Sequence, residues 1–197
     1  MKQKDTVFAL LKDNKDYLTT KMAGENGVSA STLKRLTDRG LIERAAHGLY
    51  VSTDIILDPF FVAQYRCPQG VFSHETALFF HDFSDRTPFQ LMMTIPSGWN
   101  TRLLAKDDVM IFYSKPQYVK LGAEEIITPY GLPVTTYNIE RTLCDCLQSI
   151  DKLDRDLVLT AVKRYMKDLK GEKTKLLEYA ATFKIRDIVL RYMEVLS

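Results

Sequence analysis

Side chains able to contact DNA cluster on one face of a short predicted helix that follows residue 29. Leu33 and Leu36 mark its buried face. At about 100° per residue, the opposite face presents Ser31, Lys34 and Arg35. Arginine can bind guanine through two hydrogen bonds, lysine binds guanine or phosphate, and serine accepts several partners. This pattern predicts a recognition helix, and the alternative is an ordinary solvated helix face.

Four more side chains lie near the recognition helix in the sequence, at positions that can add contacts to DNA. Lys21 begins the preceding predicted helix and is placed for a phosphate contact, and Arg39 ends the recognition helix. Arg44 and His47 lie on a predicted hairpin, where a cation can enter the minor groove or bind its phosphates. We therefore include these four in the predicted DNA-binding set, although His47 also fits a turn residue without a role.

Ser73, His74 and Glu75 come nearest to a catalytic set. Because they are sequence neighbours, they diverge around a helix and cannot form a Ser-His-acid triad. His74 and His81 are seven residues apart with no third ligand at a suitable spacing, which favours structural histidines over a metal site. The sequence has no phosphate-binding loop, dinucleotide fingerprint or Cys-x-x-Cys motif. We expect no enzyme, no catalytic residue, no cofactor and no metal.

A second basic stripe lies near the C-terminus. Lys163, Lys167 and Lys170 recur at helical spacing, and Arg164 lies beside them. The favoured interpretation is the solvated face of an amphipathic helix. A second surface that contacts phosphates or a protein partner is the alternative.

Caps and breaks predict the elements that position the DNA-contacting residues. Residues 5–13 fit one helix, and the hydroxyls at Thr19-Thr20 can cap a second, which a glycine-bounded turn ends. Ser29 caps a third helix, which stops at Gly40, where a left-handed residue is needed. Two short strands follow around His47-Gly48, since glycine supplies the positive φ of a tight hairpin. Helix, helix, turn, helix, hairpin is the element order of a winged helix-turn-helix.

The rest of the chain predicts a mixed domain. Helices are expected from Asp58-Pro59 and from Ser73, and four short strands, several bounded by proline or glycine, are expected between residues 88 and 137. Asn138 caps another helix, and three amphipathic helices follow it. The predicted fold class is α+β. Residues 1–53 form the winged helix-turn-helix, and residues 54–197 form a domain with a small sheet and a helical C-terminal part.

Composition and charge are those of a folded protein with unevenly placed charge. Hydrophobic residues make up 46% of the 197 residues and charged residues 26%, which argues against extended disorder. The net charge is only +2, but residues 1–53 carry nine Lys/Arg against six Asp/Glu, which suits phosphate contacts. No run approaches the ~18–20 apolar residues of a membrane span, and the first residues lack a signal-peptide core. We expect a cytoplasmic protein whose three cysteines form neither a disulfide framework nor a zinc site.

Three segments resemble the AbiEi antitoxins of bacterial abortive-infection, type IV toxin–antitoxin systems. They are YLTTKMAGENGVSASTLKRLTDRGLIERAAHGLYV, VFSHETALFFH and LPVTTYNIERTLCDCL. Their order and spacing match the family over nearly the whole chain. The resemblance implies a bifunctional protein, in which a winged helix represses its own operon at inverted repeats. Its C-terminal domain would neutralise a nucleotidyltransferase-like toxin without a stable complex.

The resemblance also implies roles for individual residues. For DNA binding it points to residues that the helical and hairpin arguments also select, namely Ser31, Lys34, Arg35 and Arg44. For the antitoxin role it points to the start of the helix after the hydroxyl-rich strand end, where the candidates are Glu140, Arg141, Thr142 and Asp145. A helix start with a capping interaction and an internal ion pair is the favoured interpretation of each of these four residues taken singly.

The expected partners are double-stranded DNA with an inverted-repeat operator and, functionally, the cognate toxin. We expect no membrane partner, and a monomer in solution that binds cooperatively on DNA. The alternative is a winged-helix transcription factor that senses a small molecule through its C-terminal domain. That alternative requires an apolar pocket in the domain.

Overall fold

The chain divides into two compact units, Met1–Val62 and Ala63–Ser197, in a computed structural model. The structure describes residues 3–99, 109–168 and 171–196. The division falls within helix α4 (Pro59–Arg66). Each unit has a hydrophobic core cluster of its own.

The N-terminal unit has the predicted winged helix-turn-helix order. Before α4 it contains α1 (Gln3–Asp13), β1 (Tyr17–Thr19), α2 (Thr20–Glu25), α3 (Ala30–Asp38), β2 (Glu43–Ala46) and β3 (Leu49–Val51). Its core forms where the helices meet, around the side chains of Val7, Leu11, Leu18, Leu33, Leu36 and Ile42. Burial of Leu33 and Leu36 turns the opposite face of α3 outward, as their spacing predicts.

The predicted caps of the N-terminal unit are confirmed. The Thr19 hydroxyl accepts a hydrogen bond from the Met22 N–H at 3.1 Å, and the Ser29 hydroxyl accepts one from the Thr32 N–H. Gly40 has φ 64° after α3, and Gly48 has φ 76° in the hairpin turn. These interactions satisfy helix-end groups that would otherwise lack partners, so local sequence determines where α2 and α3 begin.

Strand β1 was not predicted. It pairs antiparallel with β3, giving a sheet of order β1-β3-β2 among the described residues instead of a two-stranded hairpin. Thr19 therefore both ends a strand and caps α2. A strand of three residues is too short for an alternating pattern, and its pairing partner lies far along the chain.

The C-terminal unit is the predicted mixed α+β domain. After α4 it contains β4 (Val71–Phe72), α5 (His74–Phe80), β5 (Leu91–Pro96), β6 (Val109–Ser114), α6 (Pro116–Val119), β7 (Ala123–Ile127), β8 (Pro133–Tyr137), α7 (Ile139–Gln148), a 3₁₀ turn (Ile150–Lys152), α8 (Arg155–Lys167), α9 (Lys173–Thr182) and α10 (Arg186–Leu196). Within the described ranges, the sheet has the order β6-β5-β4-β8-β7. The β5–β6 and β4–β8 pairs are parallel, and the β4–β5 and β7–β8 pairs are antiparallel. The short elements β4 and α6 were not predicted, because two and four residues carry no periodic signal.

Helix α7 lies at the centre of the C-terminal unit. Every residue from Glu140 to Leu147 is buried, and the helix packs against α5, α8 and α9. Its Asn138 cap accepts a hydrogen bond from the Arg141 N–H at 3.0 Å, as predicted. Because the helix is buried on all sides, its polar side chains must find partners inside the protein. Among the described residues, no helix is long and apolar enough to cross a bilayer.

Candidate nucleic-acid interface

The outward face of α3 carries the predicted base-contacting side chains. Ser31, Lys34 and Arg35 are all exposed. Lys34 and Arg35 form no ion pair with any residue that the structure describes, so their charges remain available to a ligand. Asp38 is exposed on the same face and adds an acceptor, which suits the amino group of cytosine. Arg39 is the exposed C-cap residue of the helix.

The N-terminus of α3 is fixed by a cluster of hydroxyls around a side chain from α1. Gln3 donates from Nε2 to the Gly27 carbonyl at 3.0 Å, and its Oε1 accepts hydrogen bonds from Ser29 Oγ and Thr32 Oγ1. Ser31 Oγ lies 2.9 Å from Ser29 Oγ. Ser31 therefore belongs to the cap cluster while facing solvent. The role of Gln3 could not be predicted from the sequence, because its partners lie 24 to 29 residues away.

The hairpin holds Arg44 in a defined position. Arg44 Nη2 donates to Nδ1 of His47 at 2.8 Å, and its Nε donates to the Ala46 carbonyl at 3.3 Å. Both Arg44 and His47 are exposed. Because Nδ1 of His47 accepts this bond, the imidazole orients the guanidinium at the tip of the wing. That orienting role was not anticipated from the sequence.

Lys21 lies at the start of α2, as predicted. Its Nζ is 3.9 Å from Glu25 Oε1, one helical turn away, and both side chains are largely exposed. Exposed pairs at this spacing contribute only about 0.3–0.5 kcal/mol. A DNA phosphate can therefore replace Glu25 as the partner of Lys21 at little cost.

The C-terminal basic stripe lies on α8. Lys163 and Lys167 are exposed, and Arg164 Nη1 is 3.9 Å from Asp85 Oδ1 with its guanidinium over the Phe83 ring. Lys170 lies outside the described residues. Basic residues in a last helical turn interact favourably with the helix dipole. This interaction accounts for Arg164 and Lys167 without a DNA or protein partner.

The four candidate antitoxin residues lie inside the C-terminal unit. The side chains of Glu140, Arg141, Thr142 and Asp145 are all buried. Arg141 Nε donates to both carboxylate oxygens of Asp145, at 2.9 and 3.0 Å. Glu140 accepts a hydrogen bond from the Tyr165 hydroxyl at 3.0 Å. The predicted internal ion pair is therefore present, and the structure gives these side chains an interior role.

The surroundings of Arg141 explain how a buried guanidinium is accommodated. Its Nη1 donates to the Tyr118 and Leu121 carbonyls, each at 2.9 Å. Its planar group lies between the rings of Tyr137 and Phe183, with centroid distances of 4.2 and 4.1 Å. Burial raises the pKa of Asp145 to about 6, and the positive charge of Arg141 partly opposes that rise.

The Ser73-His74-Glu75 sequence does not form a catalytic triad. Ser73 Oγ is 2.9 Å from His74 Nδ1, but the Glu75 carboxylate instead accepts a hydrogen bond from the Asp154 N–H. Within the described ranges, no group of three His, Cys, Asp or Glu side chains could hold a metal ion. The exposed cations of the N-terminal unit are thus the clearest candidate site.

Three helices, a capped recognition helix and a hairpin wing define a winged helix-turn-helix, a class of DNA-binding domain. A family model described as "Transcriptional regulator, AbiEi antitoxin" matches residues 5–53. The match falls in the segment that carries most of the predicted DNA-binding residues, and it confirms the predicted resemblance to the AbiEi antitoxins.

The fold of the whole chain has a counterpart among solved structures. The crystal structure of the RV2827C protein from Mycobacterium tuberculosis is similar with a TM-score of 0.64 and 14% sequence identity. The similarity covers 97% of this chain and 79% of that one. At this identity the likeness concerns the fold alone. None of the curated proteins matches the chain in sequence.

Proposed function

We propose that the protein is a DNA-binding autorepressor and antitoxin that acts in the cytoplasm, and that it works by binding, not as an enzyme. It represses its own operon at an inverted-repeat operator. It counteracts a nucleotidyltransferase-like toxin without forming a stable complex with it. The observation that carries the DNA role is the outward face of α3, where Lys34 and Arg35 are exposed, together with the exposed cation Arg44 on the wing.

The electrostatics of this surface favour a duplex. Counterion release makes each phosphate contact favourable at low salt, and base contacts then supply sequence preference. The Gln3 cluster joins the start of α3 to α1 and to the preceding turn, so the cations of α3 lie on an ordered helix before DNA binds. A prearranged surface loses less conformational entropy on binding than a mobile one.

The DNA role is tested by titrating the full chain with a duplex from its own promoter. Arg35→Ala should weaken specific binding by roughly ten-fold or more and relax preference at one base position, because a bidentate guanine contact contributes about 1–3 kcal/mol. Lys12→Ala, at an exposed position on α1, is the matched control and should bind as wild type. Equal affinities for wild type and Arg35→Ala, on specific and scrambled duplexes, would contradict the placement of the recognition helix.

The absence of a stable toxin complex is supported by the surface of the C-terminal unit. Three of its large exposed hydrophobic side chains, Phe89, Tyr113 and Ile127, lie in a loop, on β6 and on β7 respectively. Apolar residues scattered singly are normal, whereas a stable protein interface needs a contiguous patch. We therefore expect a pull-down of the co-expressed toxin to recover no stoichiometric complex. Recovery of one would establish neutralisation by direct binding.

The two activities should separate between the units. The full-length double variant Lys34→Ala, Arg35→Ala should lose repression of a reporter but still protect cells that express the toxin. A fragment of residues 54–197, which retains α4 whole, should behave in the same way. If the folded double variant fails to protect, DNA binding is part of the antitoxin mechanism and the proposed division is wrong.

A further inference from the structure

The C-terminal unit contains a small polar pocket that the proposed function does not use. It has a volume of about 80 Å³ and is open on one side. A liquid water occupies roughly 30 Å³, so the pocket has room for a group of a few heavy atoms. Its polar lining comes from α5, β5, β6 and α7, through His74, Thr94, Ser114, Arg141, Asp145 and Gln148. The alternative of a small-molecule sensor predicts an apolar pocket, and this one is instead rich in hydrogen-bonding groups.

A chain of hydrogen bonds connects His74 to Ser73 and to Thr94 on β5. Thr94 Oγ1 donates to Ser73 Oγ at 2.9 Å, and Ser73 Oγ lies 2.9 Å from His74 Nδ1. Ser73 Oγ accepts from Thr94 and can donate its own proton to Nδ1, an arrangement in which the proton of the neutral ring lies on Nε2. Burial lowers the pKa of His74 to about 3, with the charges of Arg141 and Lys152 adding to the effect. In this arrangement Nε2–H is a buried donor of a neutral ring.

His74 is held in this position at a conformational cost. Its φ of 52° lies in the left-handed region, which is uncommon for a residue with a Cβ. His74 is 2% exposed, and its ring stacks on Phe112 with the ring centroids 3.5 Å apart. Strained backbone at a non-glycine residue persists where the surroundings determine it, often at ligand sites. His74 Nε2 has no hydrogen bond to any residue in the described part of the chain.

Arg141 supplies a second donor to the same pocket. Its Nε and Nη1 are fully used by Asp145 and two backbone carbonyls. Its Nη2 forms no hydrogen bond with the residues that the structure describes, although the residue is only 2% exposed. A buried donor without a partner is costly. Arg141 and His74 thus line one small cavity, and each has a nitrogen without a hydrogen-bond partner among the described residues.

We propose that this pocket binds a small oxyanion group, a phosphate or a carboxylate, through Arg141 Nη2 and His74 Nε2. Charge-assisted hydrogen bonds from a guanidinium to oxyanions are among the strongest in proteins. Gln148 and Ser114, at the rim, add further donors to the bound group. Asp145 limits the site to small ligands of low charge, because its carboxylate already balances much of the arginine charge.

The test is a nuclear magnetic resonance titration of the full chain without DNA. The sequence contains only three histidines, so their ring nitrogens give separate signals. Inorganic phosphate is added in one series and acetate in another, at constant ionic strength. We expect a saturable shift of the His74 Nε2 signal and of the Ser149 amide, whereas the His81 ring, whose Nε2 bonds to the Tyr137 carbonyl, should not move.

Variants separate a pocket from general ion effects. His74→Asn removes the imidazole donor and should weaken phosphate binding at the Ser149 amide by roughly ten-fold. Gln148→Ala changes an exposed side chain at the rim and should leave the fold intact, so it tests the pocket even if His74→Asn does not fold. It should weaken phosphate binding several-fold. Gln117→Ala, at an exposed position on α6, is its matched control and should bind as wild type.

The relative affinities identify the ligand group. Tighter binding of phosphate than of acetate indicates a phosphoryl group, and the reverse order indicates a carboxylate. The proposal is overturned if neither anion gives a saturable shift up to about 50 mM. It is also overturned if the folded pocket variants bind as tightly as wild type.

Discussion

Replacing His74 with asparagine should make the stability of the C-terminal unit less sensitive to acid. Asparagine tolerates the left-handed backbone better than most residues, and its side-chain oxygen can accept the hydrogen bond from Ser73. It cannot, however, be protonated. The substitution therefore removes one titration from the folded state and leaves the backbone conformation acceptable.

The expected magnitude follows from the pKa of His74, which burial lowers from 6.5 to about 3. A group with a lowered folded pKa contributes stability that is present above the unfolded pKa and is lost as the pH falls towards the folded value. At pH 5 the unfolded chain has bound the proton and the folded chain has not. Wild type should therefore lose about 2 kcal/mol from this group between pH 7.5 and pH 5.

Asp145 acts in the opposite direction. Its pKa is raised to about 6, so the folded protein binds a proton more readily than the unfolded chain as the pH falls through 6. That uptake stabilises the fold by about 1 kcal/mol at pH 5 and partly hides the loss at His74. The informative quantity is therefore the difference between wild type and His74→Asn at each pH.

Urea unfolding at pH 7.5 and pH 5 measures that difference. The fluorescence of Trp99, the single tryptophan, reports on the C-terminal unit, and circular dichroism reports on both units. The same substitution at the exposed His47 controls for loss of an imidazole. The stability of His74→Asn relative to wild type should rise by about 2 kcal/mol between the two pH values. An unchanged relative stability would refute the neutral, buried state of His74 on which the pocket argument rests.

Three further predictions concern the DNA-binding surfaces. Lys21→Ala should weaken binding equally on specific and scrambled duplexes and lower the salt slope by about one, as loss of a phosphate contact requires, and gel shifts at several salt concentrations measure this. Neutralising Lys163, Lys167 and Lys170 together should reduce cooperativity on a two-site operator if the stripe contacts DNA or a neighbouring protomer. Identical Hill slopes for wild type and variant would show that the stripe is a solvated helix face. Ser29→Ala should cost about 1 kcal/mol of stability through loss of the α3 cap, which thermal unfolding would detect.

The sequence predicted the elements whose signals are local. Ser29 and Gly40 mark the ends of α3 because a hydroxyl cap and a left-handed residue each act within a few positions. The outward face of α3 followed from Leu33 and Leu36, since helical geometry determines the side opposite a buried pair. The exposure of Lys34 in the structure agrees with that prediction.

Features that depend on distant partners could not be predicted. Gln3 contacts the turn before α3 from 24 residues away, and a single glutamine carries no signal for such a contact. The left-handed backbone of His74 could not be predicted either, because the sequence around it indicates an ordinary helix start. The Arg141–Asp145 pair was anticipated from its spacing, but its contacts with the Tyr118 and Leu121 carbonyls depend on how α6 and α7 pack.

Stability of the fold alone does not explain why Arg141 is buried. A buried ion pair is weak evidence for stability, because well-packed hydrophobic residues of similar volume often stabilise a core as well or better. Here the protein accommodates a guanidinium with a carboxylate, two carbonyls and two aromatic rings, and Gly122 leaves it space, since a Cβ there would lie 2.9 Å from that of Arg141. These contacts occupy two of its three nitrogens. Arg141 also lines the pocket that contains the strained His74. An arginine held for packing alone needs neither an unbonded nitrogen nor a neighbouring donor, so this arrangement favours a ligand at the pocket over a purely structural role.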